Sequence, residues 1–145
     1  MRTINRIIIH CSDTRQGQKV DAKVIDRWHR EKGYRKIGYH YVVLEDGTIE
    51  KGRDEAEVGA HCLRYNNGSI GICYCGGKGA DGRPADTRTQ AQKKALIFLV
   101  QDLCARYKIA DIAGHCEFAN KACPCFNVKE EFKLDDVFKI EIGPT

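Results

Sequence analysis

The chain has 145 residues, a length that suits one domain with one core. Charged residues make up 30% and hydrophobic residues 42%, which excludes fibrous and low-complexity classes. The net charge of +4 is dispersed, with no long run of like charge; such mild basicity suits a polyanionic partner, cell wall or nucleic acid alike, and is a weak signal for either. No apolar run is long enough to span a bilayer. The N-terminus enters a strand pattern without the charged and apolar regions of a secretory signal, so cytoplasmic synthesis is expected, with another factor carrying or releasing the protein to any target outside. In that setting the eight cysteines read as free thiols and metal ligands rather than a disulfide framework.

Residues 5–12 (NRIIIHCS) predict a central strand buried on both faces. Alternation puts Ile8, His10 and Ser12 on one side and Ile7, Ile9 and Cys11 on the other. Residues 13–19 read as loop. Asp21 is an N-cap for a helix over 22–32 that shows Val24, Ile25 and Trp28 on one face, with Gly33 as its C-terminal cap and His29 as a surface or packing residue. Asp46-Gly47 between two β-prone runs predicts a two-residue hairpin, with Tyr39 and Tyr41 facing one way and His40 and Val42 the other. After a loop-rich stretch comes a strand at Ile70 to Cys75, in which Cys73 and Cys75 face one side as buried thiols. The glycine-rich loop over 76–84 lacks a phosphate-loop ending and receives no function. Thr89 and Gln92 form a capping box for a helix over 90–107 with an apolar stripe. Residues 111–115 (DIAGH) read as a short strand, and Asn127 caps a last helix over 128–134. Strands and helices are interspersed, and the hairpin excludes a purely parallel sheet. The expected fold is therefore α/β, a mixed sheet flanked by helices in a single domain.

The chemistry gathers around Lys121-Ala-Cys-Pro-Cys125. Cys123 and His115 are close in sequence, and His10 ends the buried strand. Two imidazoles and a thiolate make a three-ligand zinc set that leaves a position open, as catalytic zinc sites do. Lys121 can supply a cation, and Tyr39, at a loop–strand junction, a hydroxyl for the water or the oxyanion. Each residue also has a plainer reading: His10 a hydrogen-bonded core histidine, Tyr39 a packing residue, Lys121 a solvated lysine. Cys116 and Cys125 compete with Cys123 as ligands or as disulfide partners.

These residues resemble the type-2 N-acetylmuramoyl-L-alanine amidases, a family that includes phage endolysins and animal peptidoglycan recognition proteins, and within it most resemble the T-odd phage lysozymes. The matching stretches are IIIHCSDT, IDRWHREKGYRKIGYHYVV, DGTIEKGRDE, VGAHC, YNNGSIGICYCGG, TQAQ and GHCEFANKACPCF, in the family's order over residues 6–133. The resemblance implies one zinc ion held by His10, His115 and Cys123, catalytic Tyr39 and Lys121, and a substrate contact by His61. It also implies hydrolysis of the amide between N-acetylmuramic acid and L-alanine in peptidoglycan, as in phage or prophage endolysins. Cys116 departs from the family pattern where a second His can stand, and Cys125 where Ser can stand. The whole chain, 1–145, is expected to be one zinc amidase catalytic domain, with 134–145 a C-terminal extension and no separate wall-binding module.

Other classes compete with this reading. A recognition module would bind wall without turnover, a recycling enzyme would take soluble muropeptides, and a redox or structural-zinc protein would use its thiols differently. The partner expected is bacterial peptidoglycan or muropeptide, acted on by a monomer.

Overall fold

The computed structural model describes residues 2–143; residues 144 and 145 of the expected extension lie outside the described residues. Among the described residues seven strands occur in chain order: β1 (Arg6–Cys11), β2 (Thr14–Arg15), β3 (Tyr41–Val43), β4 (Ile49–Lys51), β5 (Ser69–Tyr74), β6 (Gly77–Lys78) and β7 (Asp111–Gly114). Five of them form the frame, a sheet in the order β4-β3-β5-β1-β7. β1 runs parallel to both neighbours, with Ile9 opposite Ile72 on β5 and Gly114 on β7. β3 is parallel to β5, and in this sheet only β4 is antiparallel. A central parallel strand is covered on both faces, which is why Ile7, Ile8 and Ile9 are all fully buried and the sequence shows an unbroken Ile run.

The helices α1 (Ala22–Glu31) and α2 (Gln90–Arg106) cover opposite faces. Leu96, Leu99, Val100 and Leu103 of α2 pack on Ile7, Ile9 and Cys11, while Ile25 of α1 packs with Val42, Cys73 and Cys75. The alternation expected along β1 is therefore realised, and it turns His10 toward the α1 side.

The caps expected from sequence are present. Asp21 accepts from the Val24 amide at 2.9 Å, and Thr89 and Gln92 exchange bonds of 3.1 and 3.0 Å. Gln92 is also fully buried, and its amide donates to the carbonyls of Val43 and Cys75 at 3.2 and 2.9 Å. One side chain thus caps the helix and satisfies the ends of two strands. A short α3 (Val128–Glu131) follows Asn127 as its cap and stops well before residue 134. A 3-10 turn (Leu134–Lys139) then lays Val137 on the core, and Gln101 donates to the carbonyls of Val137 and Ile140 at 3.0 and 2.9 Å. The C-terminal stretch, which carries no sequence motif, is part of the domain's packing.

Three expectations change. Residues 13–19 are not all loop, because β2 pairs with β6 inside the glycine-rich stretch. Gly77 is needed there: a Cβ on it would lie 2.5 Å from the Cys11 sulfur. The hairpin turn is longer than two residues. Gly47 donates to Leu44 and Leu44 to Thr48, and of the turn residues only Gly47 has a positive φ, +89°. A type I turn closed by a left-handed glycine explains this pattern, whereas a two-residue I′ turn would need Asp46 left-handed as well. Finally, Tyr39 and Tyr41 do not share a face: Tyr41 packs on the α2 side, and Tyr39 packs with the α1-side cluster. Regular pleating begins only at Tyr41, so period-two counting fails for the residues before it. Among the described residues, no helix is long and apolar enough to cross a membrane.

Candidate metal centre and its groove

The cluster forms where parallel strands end, the usual location of sites in open α/β sheets. Ile9 and Gly114 are register partners, so His10 and His115, the next residues along each chain, emerge side by side with ring centroids 4.6 Å apart. Their Nδ1 atoms are 3.1 Å apart. Cys123 returns from the following loop, held by a Cys116 amide bond to the Cys123 carbonyl at 2.8 Å and by the Cys11 amide, which donates to its sulfur at 3.1 Å. The donor atoms of His10, His115 and Cys123 all lie within 4.8 Å of one another.

Burial holds the His10 imidazolium far below the usual range, reinforced by the neighbouring His61, His115 and Lys121. Burial and then Lys121 lower His115 as well. Both rings are therefore neutral near pH 7 and keep a lone pair, the form in which imidazole binds a metal. Zinc–nitrogen bonds of about 2.0–2.1 Å at a tetrahedral angle put two nitrogens about 3.3 Å apart, close to the observed separation of 3.1 Å. The donor set and its spacing fit a zinc ion.

The rival thiols are elsewhere. Cys116 is exposed, Cys125 points its sulfur at the Gly77 carbonyl at 3.4 Å, and all eight cysteines are free. Burial pushes the Cys125 thiol up to about 12 and also raises Cys116, which keeps both protonated.

A groove runs across the cluster in two arms that share His115 and Lys121. The first, of about 700 Å³, is walled by Trp28, His29 and Lys32 of the α1 segment and by Tyr39. The second, of about 650 Å³, is bordered by Leu63, Arg64, Tyr65 and Phe118, with His61 in its floor. Lys121 is exposed at the junction. The Tyr39 ring lies 5.0 Å from the His10 ring and 5.4 Å from that of His29. Burial, then the nearby Cys73, Cys123 and Cys11 thiols, push its hydroxyl well above the usual phenol range, so it is a proton-bearing donor.

The residues singled out from the sequence thus meet in one place: His10, His115, Cys123, Tyr39 and Lys121 around the cluster, and His61 behind His10. Sequence reasoning missed Ser69, which touches His61, and Asn66, whose side chain accepts from the amides of His61 and Cys62 at 2.8 Å each. The sequence shows a loop-rich stretch there, which does not reveal that Asn66 holds His61. Of the two readings offered for His29, surface or packing, the packing one holds: it accepts from the Gly38 amide at 2.9 Å, and it also walls the groove beside Tyr39.

An α/β fold with a His-His-Cys cluster at its strand ends, open to a two-armed groove, describes a class of hydrolase sites. The chain belongs to the N-acetylmuramoyl-L-alanine amidase family, whose model matches residues 1–126. It is 39% identical to the endolysin of Escherichia phage T7 over 94% of this chain and 91% of that protein. It is 31% identical to a peptidoglycan-recognition protein of Drosophila melanogaster over 92% of this chain and 75% of that protein. Among solved structures, the endolysin amidase LysCS of Clostridium intestinale superposes with a TM-score of 0.79 at 29% identity, covering 97% of this chain and 86% of that one.

Proposed function

We propose that this chain is a zinc-dependent N-acetylmuramoyl-L-alanine amidase of the phage or prophage endolysin type, acting as a single catalytic domain on bacterial peptidoglycan. The observation that carries this reading is the convergence of the donor atoms of His10, His115 and Cys123 within 4.8 Å, with His115 and Cys123 lining an open groove and His10 buried beneath them. Membership of the amidase family and similarity to phage endolysins along nearly the whole chain support it.

In this reading His10, His115 and Cys123 hold one zinc ion. Zinc there supplies Lewis-acid polarisation of the scissile carbonyl and a water acidified towards neutrality. The groove arms hold the glycan and the stem peptide on either side of the bond. Tyr39, which keeps its proton, donates to the oxygen that gains charge as the carbonyl is attacked. Lys121 sets its ammonium beside the same charge from the junction of the arms. The C–N bond breaks as water adds, leaving a lactyl carboxylate on the sugar and a free amino terminus on L-alanine. The enzyme acts as a monomer and reaches the wall after release or export by another factor.

The test is digestion of purified peptidoglycan, with mass spectrometry of the soluble products. Free stem peptides with a new L-alanine amino terminus, lost with chelator and restored by zinc, are expected. Wall that retains the protein but stays uncut would assign a recognition module instead, and turnover of soluble muropeptides alone would assign recycling.

A further inference from the structure

Behind His10 lies a buried polar chain that the proposed reaction does not use. His10 Nε2 is 2.9 Å from His61 Nδ1, His61 Nε2 is 3.2 Å from Ser69 Oγ, and Ser69 Oγ is 2.7 Å from the Tyr65 carbonyl and 3.2 Å from that of Asn66. His10, His61 and Ser69 are all buried.

The direction of this chain is forced at its far end. The two carbonyls can only accept, so the single Ser69 proton goes to one of them. Ser69 Oγ must then accept from His61, which places the His61 proton on Nε2. Among the described residues no carboxylate touches either ring, and both rings are buried, so each is neutral with one proton. His61 Nδ1 is consequently an acceptor, and His10 must donate from Nε2. What remains on His10 is a lone pair on Nδ1, the atom that faces His115.

We propose that His61, anchored by Ser69, is a positioning residue that fixes the tautomer and ring orientation of His10 and so presents its Nδ1 to the metal. This inference rests on the zinc reading above. The His61 ring is locked sterically as well: a Cβ on Gly59 or on Gly71 would each come within 2.6 Å of it. Two glycines leave the slot that the imidazole fills. Although His61 lies in the floor of the second arm, both its ring nitrogens are already engaged, so it acts through His10 rather than by gripping substrate.

Two measurements test this. The first reads ring tautomers by long-range proton–nitrogen correlation spectra of the metal-free protein. The expected result is His10 and His61 both protonated at Nε2; protonation of His10 at Nδ1 would overturn the relay, whatever the protein does with zinc. The second is zinc affinity by chelator competition. His61→Ala is expected to weaken binding about 10–100-fold, the usual effect of losing a partner behind a metal-bound histidine. His61→Asn, whose side-chain oxygen can replace Nδ1 as acceptor, is expected to recover part of that loss. Unchanged zinc affinity in folded His61→Ala, with only a raised KM, would make His61 a substrate contact and sink the proposal. Failure of the unaltered protein to bind zinc would instead remove the proposed function, and the tautomer spectra would still decide the relay.

Discussion

At the residue scale, the decisive choice is which thiol joins the histidines. Sequence spacing leaves Cys116, Cys123 and Cys125 in competition because all three lie within reach of His115 along the chain. What separates them is the path of the loop. The Cys116–Cys123 backbone bond and the Cys11 amide aim one sulfur at the cluster, while Cys125 turns away to Gly77 with a left-handed backbone, φ +70°. No sequence pattern encodes that turn. The expected outcome is that Cys123→Ala loses both zinc binding and wall hydrolysis, whereas Cys125→Ser stays near wild type in both, read by metal analysis and product release. Tyr39→Phe is expected to bind zinc normally and to lose activity by about 10²–10³-fold, the usual effect of removing one oxyanion donor. Unchanged kcat in that variant would return Tyr39 to a packing role.

At the element scale, propensity and capping were readable where the signals are local. The α1 and α2 boundaries follow from Asp21 and from the Thr89–Gln92 box because a cap is decided by neighbours three residues apart. The second duty of Gln92 was not readable, since its partners on Val43 and Cys75 are distant in sequence. The two duties can be separated by mutation. Thr89→Ala removes the cap bond from the Gln92 amide and the hydroxyl's own bond to the Glu45 carbonyl, and is expected to cost roughly 1–2 kcal/mol. Gln92→Leu leaves the Thr89 amide and two strand-end carbonyls without this partner and is expected to cost roughly 2–3 kcal/mol or more. Urea unfolding of both variants checks the order: equal losses would mean that the amide contacts to the strand ends contribute little.

At the scale of the whole molecule, the fold class was legible because an Ile-rich central strand, a hairpin and two amphipathic helices admit few arrangements. The row of histidines, three of them buried, was not, because His40, His61, His10 and the half-buried His115 come from four separate parts of the chain. That row makes the molecule acid-sensitive. Burial lowers His40 to about 4 and His61 to about 3, from an ordinary value near 6.5. Between those values the unfolded chain binds protons that the folded chain refuses, so stability is complete above about pH 6.5 and falls as pH drops, through about 4 for His40 and about 3 for His61. A second window lies lower: Arg106 holds the Glu55 carboxyl at about 2, and that contribution disappears only as pH falls from about 4.5 to 2. His40 accepts from the Gly71 amide at 3.0 Å through Nδ1, so His40→Asn can keep an acceptor there while removing the titrating ring. Denaturant unfolding of the metal-free protein should show wild type losing more stability than His40→Asn between pH 6.5 and 4. The expected difference is up to about 3 kcal/mol, from about 1.4 kcal/mol per unit of pKa depression. Parallel pH profiles for the two proteins would mean that His40 protonates without unfolding the chain and that the acid sensitivity resides in the other rings.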